Sequence, residues 1–259
     1  MNWIEALILG LVQGLTEFLP VSSSGHLGII QSLFGVNPES SFYFTVAVHG
    51  ATVISTIVVF YKEIGRLAAG TLKFRMNDET LYVLKLIVSM IPVAIVGLTL
   101  KNTVENLFNG NIVFIGSMLI VTSGLLALAH FIRKGNRNIG FLDAFIIGLA
   151  QAFAVIPGIS RSGATISTGL LAGDRKEDIA GFSFLMVLVP VIGANVIDII
   201  SSKPGSVIPG MGVMMIGFVA AFVSGYVACR WMIELVKKSK LIWFSVYCFI
   251  VGILSVILG

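Results

Sequence analysis

The sequence predicts an all-α polytopic membrane protein: six transmembrane helices plus two re-entrant helical hairpins in an inverted-topology repeat. Three observations predict it. The 259-residue chain is 56% hydrophobic and only 12% charged, with a mean hydropathy of +0.99, where a soluble domain carries about a quarter charged residues. Six apolar runs are long enough to cross a bilayer, which takes about 20 residues of helix. One motif also occurs twice at a constant offset.

The six runs fall at 41–61, 82–100, 111–132, 179–199, 210–230 and 241–258. The run at 210–230 contains Gly210, Gly212, Gly217 and Gly225, which membrane helices tolerate better than soluble ones. Segments 2–19 and 141–156 are apolar but shorter, and each runs into a cluster of Pro, Ser and Gly. They are expected to dip into the membrane and turn back. The N-terminal run carries Glu5, no basic residue precedes it, and the first Lys or Arg is Lys62, so a cleaved signal peptide is not expected. Cys229 and Cys248 match no metal spacing and read as packing residues. The chain is expected to be one integral membrane domain over 1–259.

The distribution of basic residues accounts for the net charge of +4, so no nucleic-acid partner is expected. Lys62, Arg66, Lys73, Arg75 and Lys85 follow the first span, and Arg133, Lys134 and Arg137 the third. Arg175 and Lys176 precede the fourth, and Arg230, Lys237, Lys238 and Lys240 separate the last two. Only Lys101 and Lys203 lie on the other side. This asymmetry marks the cytoplasmic face and predicts that both termini are extracytoplasmic. Residues 1–40 then enter from the outer face and 141–171 from the inner one.

GLVQGLTEFLPVSSSGH (10–26) aligns without a gap on GLAQAFAVIPGISRSGA (148–164). Gly10, Leu11, Gln13, Ser22, Ser24 and Gly25 match Gly148, Leu149, Gln151, Ser160, Ser162 and Gly163. Phenylalanine pairs follow each copy, FYF at 42–44 and FSF at 182–184. Two pseudo-repeats result, about 1–135 and 136–259. Each holds one re-entrant segment and three spans, and three is odd, so the second half is inverted. Such repeats place their sites near the midplane, where broken helices line a polar cavity.

Gln13 and Glu17 share a helix face, and a carboxylate at membrane depth needs a partner or a function. Glu17 either works chemically or pairs with Arg161 to hold the halves together. Ser22, Ser23 and Ser24 precede a helix restarting near His26; Ser160 and Ser162 flank Arg161 before a helix from about Gly163 to Leu171. These serines are N-caps or, with the helix starts and the Arg161 fork, bind phosphate. Ser23 and His26, three apart, face the same way if the turn is helical. A hydroxyl, an imidazole and a carboxylate are the parts of a nucleophile with its proton carriers. Thr165 reaches the anion or bonds back to its own helix. His49, mid-span, is packed or catalytic, and the residues leave both open. His130, Asp143, Asp198 and Glu234 sit near predicted helix ends and carry no assigned chemistry.

EFLPVSSSGH, PGISRSGATIS and FSFLMVLVPVIGAN resemble the signature blocks of the undecaprenyl-diphosphate phosphatases of the BacA (UppP) type, and the likeness spans nearly the whole chain. The resemblance implies an inner (plasma) membrane enzyme that removes one phosphate from undecaprenyl diphosphate. It regenerates the lipid carrier for peptidoglycan and envelope polymers and alters bacitracin sensitivity, with a site opening to the extracytoplasmic side. It implies catalytic roles for Glu17, Ser23, His26 and Arg161, and substrate binding by Gln13, Ser22, Ser24, Ser160, Ser162 and Thr165. Many relatives carry Glu at the position of Gln13, which leaves Glu17 as the one motif carboxylate for a divalent cation, Mg or Ca. Ser23 or His26 as nucleophile, or direct attack by water, stays open, as does a homodimer. The rival reading is a translocase of a polyprenyl-phosphate carrier lipid without hydrolysis.

Overall fold

A computed structural model describes residues 1–36, 38–100, 111–131, 135–200, 209–238 and 240–258, and side chains for all of these except 38–41. Lys101, Arg133, Lys134 and Lys203, used in the charge argument, lie outside the described residues. Among those described there are eleven α-helices: α1 (Trp3–Phe18), α2 (Ser23–Leu33), α3 (Pro38–Val59), α4 (Tyr61–Thr71), α5 (Asp78–Thr99), α6 (Ile112–Phe131), α7 (Phe141–Phe153), α8 (Arg161–Ala172), α9 (Lys176–Ile200), α10 (Met211–Lys237) and α11 (Ile242–Leu258). The β pairing among them is one isolated bridge, Arg137 to Asp174.

Five of these helices, α3, α5, α6, α9 and α10, are long and apolar enough to cross a membrane. Their outer faces carry the apolar side chains. On α5, for example, Ile87, Ile91, Ile95 and Leu98 are all exposed, while Ser89 is buried with its hydroxyl donating to the Leu86 carbonyl. Polar groups inside and apolar groups outside is the pattern for a hydrocarbon solvent, in which backbone and hydroxyl groups must find protein partners. The helix α11, the sixth predicted span, has 17 residues and, like α7, is a shorter apolar helix. One element was not foreseen. Immediately after α3, α4 buries Leu67 and Gly70 and pairs Arg66 with Glu63 at 2.6 Å.

Helix pairings recur between the two halves. α1 packs on α10 and α7 on α5; α3 packs on α10 and α9 on α5; α6 packs on α11, and α3 on α9. The repeated glycines explain the first correspondence. A Cβ added at Gly10 would lie 2.4 Å from the Gly217 carbonyl oxygen of α10, and one at Gly148 would lie 2.3 Å from the Ser89 carbonyl oxygen of α5. Glycine at the same repeat position thus brings backbones into contact at both places, the small-residue packing of membrane helices.

Where the chain turns from α8 to α9, Arg137 donates to Asp143 at 3.1 Å and the backbones of Arg137 and Gly173 bond at 3.2 Å. Asp143 also accepts from the Gly140 N–H at 2.9 Å, so it ties off a helix start. Burial, with the Asp143 carboxylate adding to it, pushes the neighbouring Asp174 carboxyl up to about 6.

Gly148→Val is expected to force α7 from α5 and to lower the Tm of the detergent-purified protein by roughly 2–12 °C, the effect of an overpacking penalty of about 1–3 kcal/mol in a chain of this size. An unchanged melting curve in circular dichroism would contradict the backbone contact.

Candidate active site

Two broken helices build the site. α1 stops at Phe18 because Pro20 has no N–H to continue the ladder, and Leu19 turns to extended backbone. α2 begins at Ser23, with Ser22 as its cap. The Ser22 hydroxyl accepts from the Gly25 N–H at 3.3 Å, and its φ of 70° lies in the left-handed region that non-glycine residues avoid. Such strain persists only where the surroundings enforce it and is concentrated at functional sites.

In the second break, α7 ends at Phe153, Gly158 takes a φ of 92°, and α8 starts at Arg161. The cap is Ser160, which accepts from the Gly163 N–H at 3.0 Å. Ser162 is inside the helix, and its hydroxyl donates to the Leu19 carbonyl of the first break at 3.2 Å. Both helices therefore start earlier than expected, and Arg161 is the first residue of its helix rather than part of the loop. Thr122 of α6 holds the second elbow from behind. Its hydroxyl donates to the Gly158 carbonyl at 3.2 Å and accepts from the Ser160 N–H at 3.0 Å.

The two elbows touch. A Cβ added at Gly25 would lie 3.4 Å from Gly158 Cα, and one at Gly163 would lie 3.3 Å from Pro20 Cβ. Across this contact Arg161 Nη1 stands 3.8 Å from Glu17 Oε1. Glu17 Oε2 accepts from the Ser23 hydroxyl at 2.5 Å and from the Gln13 amide at 3.0 Å. Glu17, Ser22, Ser23, Ser24, Ser160 and Arg161 line one small polar cavity, together with Thr16 and His49. Glu17 and Arg161 also face a second, mostly apolar groove between α3 and α9, bounded by Val53, Phe184, Val187, Leu188 and Val191, with Ser162 at its edge.

Other sequence candidates lie off the polar cavity wall. Gln13 stands behind Glu17. Thr165 bonds back to the Arg161 carbonyl at 2.9 Å and meets the Ser183 hydroxyl at 2.6 Å. His26 is turned away from Ser23 although the segment is helical. Its Nδ1 lies 2.9 Å from the Ser22 carbonyl, its Nε2 lies 2.8 Å from the Tyr247 hydroxyl of α11, and the two rings stack with centroids 5.6 Å apart. Sequence reasoning missed Thr122 and Tyr247, since each sits in an apolar run, Thr122 beside Ser123 and Tyr247 two residues after Ser245, with no spacing to mark it. It left His49 undecided, and the structure puts that ring on the cavity wall.

A family model described as "Bacitracin resistance protein BacA" matches residues 6–254. The chain belongs to the BacA family. Curated relatives carrying the name undecaprenyl-diphosphatase include one from Bacteroides fragilis, 51% identical over 100% of this chain and 99% of the relative. Another, from Parabacteroides distasonis, is 52% identical over 99% of this chain and 98% of the relative. A more distant one, from Carboxydothermus hydrogenoformans, is 40% identical over 100% of this chain and 98% of the relative. The BacA match covers both elbows and the helices that carry them. As a BacA-family protein with five helices of membrane-crossing length and composition, the chain is a multi-pass membrane protein.

Thr122→Val removes the hydroxyl that serves both Gly158 and Ser160, leaving a buried carbonyl and a buried N–H unpaired at about 1–3 kcal/mol each. The Tm is expected to fall by roughly 4–10 °C, while Thr122→Ser stays near wild type. Equal Tm values for the Val and Ser variants would contradict this anchoring role.

Proposed function

We propose that the chain hydrolyses undecaprenyl diphosphate to undecaprenyl phosphate and inorganic phosphate, the activity named for its relatives, and so returns the carrier lipid to cell-envelope synthesis. The observation that carries this reading is the Ser23 hydroxyl held at 2.5 Å by Glu17, with Arg161 on the same cavity wall and an apolar groove leading away from it. A hydroxyl beside a carboxylate is an activated nucleophile. A guanidinium and two helix starts stabilise charge on a phosphoryl group. The groove suits the prenyl chain of a lipid diphosphate.

In this mechanism Ser23 Oγ attacks the terminal phosphorus while Glu17 takes its proton. Arg161, Ser160 and the N-termini of α2 and α8 hold the phosphoryl oxygens, and the lipid monophosphate leaves. Ser22 and Ser24 shape the first elbow. Serine is favoured over His26 as the nucleophile because both ring nitrogens of His26 are engaged, by the Ser22 carbonyl and by Tyr247. His26 instead clamps the first elbow to α11, and Thr165 joins α8 to α9.

Among the described residues no three His, Cys, Asp or Glu side chains gather to hold a metal. The chain therefore fits a cation that arrives with its phosphates rather than a preformed cage, with the Glu17 carboxylate on the cavity wall as the protein group that would hold it. A divalent ion, Mg or Ca, would neutralise phosphate charge there.

The architecture that goes with this reading is a single domain of six spans and two re-entrant hairpins, the halves inverted relative to each other, with both termini and the site's opening extracytoplasmic. The recurring helix pairings and the one-sided lysines and arginines support it.

The test is phosphate release from undecaprenyl diphosphate by pure protein in detergent. Glu17→Ala, Arg161→Ala and Ser23→Ala are each expected to lower kcat by about 10³-fold or more, and Ser23→Ala, which leaves the Glu17–Arg161 pair in place, to keep the fold intact by circular dichroism. A wild-type protein that releases none would point to lipid translocation without hydrolysis. A Ser23→Ala protein at wild-type rate would overturn the serine mechanism.

A further inference from the structure

We propose that His49 is a catalytic residue, the base that takes the proton of the attacking water when the phosphoserine at Ser23 is hydrolysed. This rests on the diphosphatase reading above. Of the chain's three histidines, His49 is the one on the wall of the polar cavity, with Glu17, Ser23 and Arg161. Its position on α3 aims it there. Residues 49, 52, 53 and 56 form one helical face, and Thr52, Val53 and Thr56 line the groove that adjoins the cavity.

The ring is also set in one orientation. Nδ1 stands 2.8 Å from the Thr45 carbonyl, and a carbonyl only accepts, so Nδ1 carries the hydrogen. In the neutral ring Nε2 is then the lone-pair atom, and no hydrogen-bond partner holds it among the described residues. The charged groups facing His49 are Glu17 from α1 and Arg161 from α8. α9 and α10 meet α3 with uncharged side chains, Ser183, Phe184 and Val187 from the first, Phe218, Ala221 and Phe222 from the second.

The proton count gives such a group a task when Glu17 keeps the Ser23 proton between the two steps. In the first step Ser23 Oγ bonds to the terminal phosphorus, the bridging P–O bond breaks, and the Ser23 proton goes to Glu17. In the second, water oxygen bonds to phosphorus as the P–Oγ bond breaks. Oγ must regain a proton, and Glu17 returns the one it holds. Glu17 therefore cannot also take the proton that water loses. Thr16, Ser22, Ser24, Ser160 and Arg161 offer no base, and His49 Nε2 does. Each turnover ends with Ser23 protonated, Glu17 ionised, His49 protonated and phosphate released as its monohydrogen form.

The experiment uses the full chain in detergent, undecaprenyl diphosphate labelled on its terminal phosphorus, and acid quenching. His49→Ala is expected to lower kcat on the order of 10²-fold and KM in proportion, leaving kcat/KM within about threefold of wild type because the phosphorylation of Ser23 is untouched. Label should accumulate on Ser23 as an acid-stable, base-labile phosphoserine approaching one per protein. Added imidazole should restore turnover and clear the label. His49→Gln, polar and of similar size, should also be slow and labelled, which separates a missing base from a packing defect. Either variant turning over at the wild-type rate, or slow with no retained label, overturns this role alone. Wild type without phosphate release would overturn the diphosphatase reading and this one with it.

Discussion

Everything at the centre of this molecule depends on how the carboxylate of Glu17 is satisfied inside the helix bundle. An ionised carboxylate in a hydrocarbon slab is tolerated only with partners. Its partners come from both halves of the chain: the Ser23 hydroxyl and Gln13 amide from its own side, the Arg161 guanidinium from the other. Neither elbow alone satisfies its charge, since an unpaired buried ion costs several kcal/mol (~3–5). The same mutual need brings hydroxyl, carboxylate and guanidinium together, the constellation on which the proposed diphosphatase mechanism rests.

The surrounding fold exists to press the elbows together. Small residues let α1 lie on α10 and α7 on α5, which fixes where each broken helix ends. α6 and α11 then grip the breaks themselves, α6 through Thr122 on the second and α11 through Tyr247 and Cys248 on the first. With its backbone held from several sides, Ser22 can keep a φ of 70°. The strain is localised one residue before Ser23, whose hydroxyl Glu17 holds.

Much of this was legible in the sequence, and the legible part has a common cause. Span positions follow from hydropathy, because a bilayer filters length and polarity so severely. Glu17 and Arg161 stood out because charges in apolar surroundings are costly, and the repeated Gly-x-x-Gln and Ser-x-Ser-Gly spacing showed that two similar turns exist. What the sequence did not display was direction. Ser23 and His26 sit three apart on one helix, yet one faces Glu17 and the other Tyr247, since the side chains project at different angles against neighbours 200 residues away. α4 was hidden for a related reason: its charges read as a loop, and its apolar stripe is one residue wide per turn. Thr122 is one of two adjacent hydroxyls, with Ser123, in a greasy run, and only the elbow behind it gives it a task.

The central claim is that the two elbows are in van der Waals contact, and thiol chemistry tests it most directly. An added Cβ at Gly163 lies 3.3 Å from the Pro20 Cβ, close to the roughly 3.5–4.5 Å that a disulfide spans. In a protein with Cys229→Ala and Cys248→Ala, the pair Pro20→Cys and Gly163→Cys should lose both free thiols on mild oxidation and show an intramolecular disulfide in the digested protein. Two thiols that remain free and separately alkylatable after oxidation would mean that the turns do not meet.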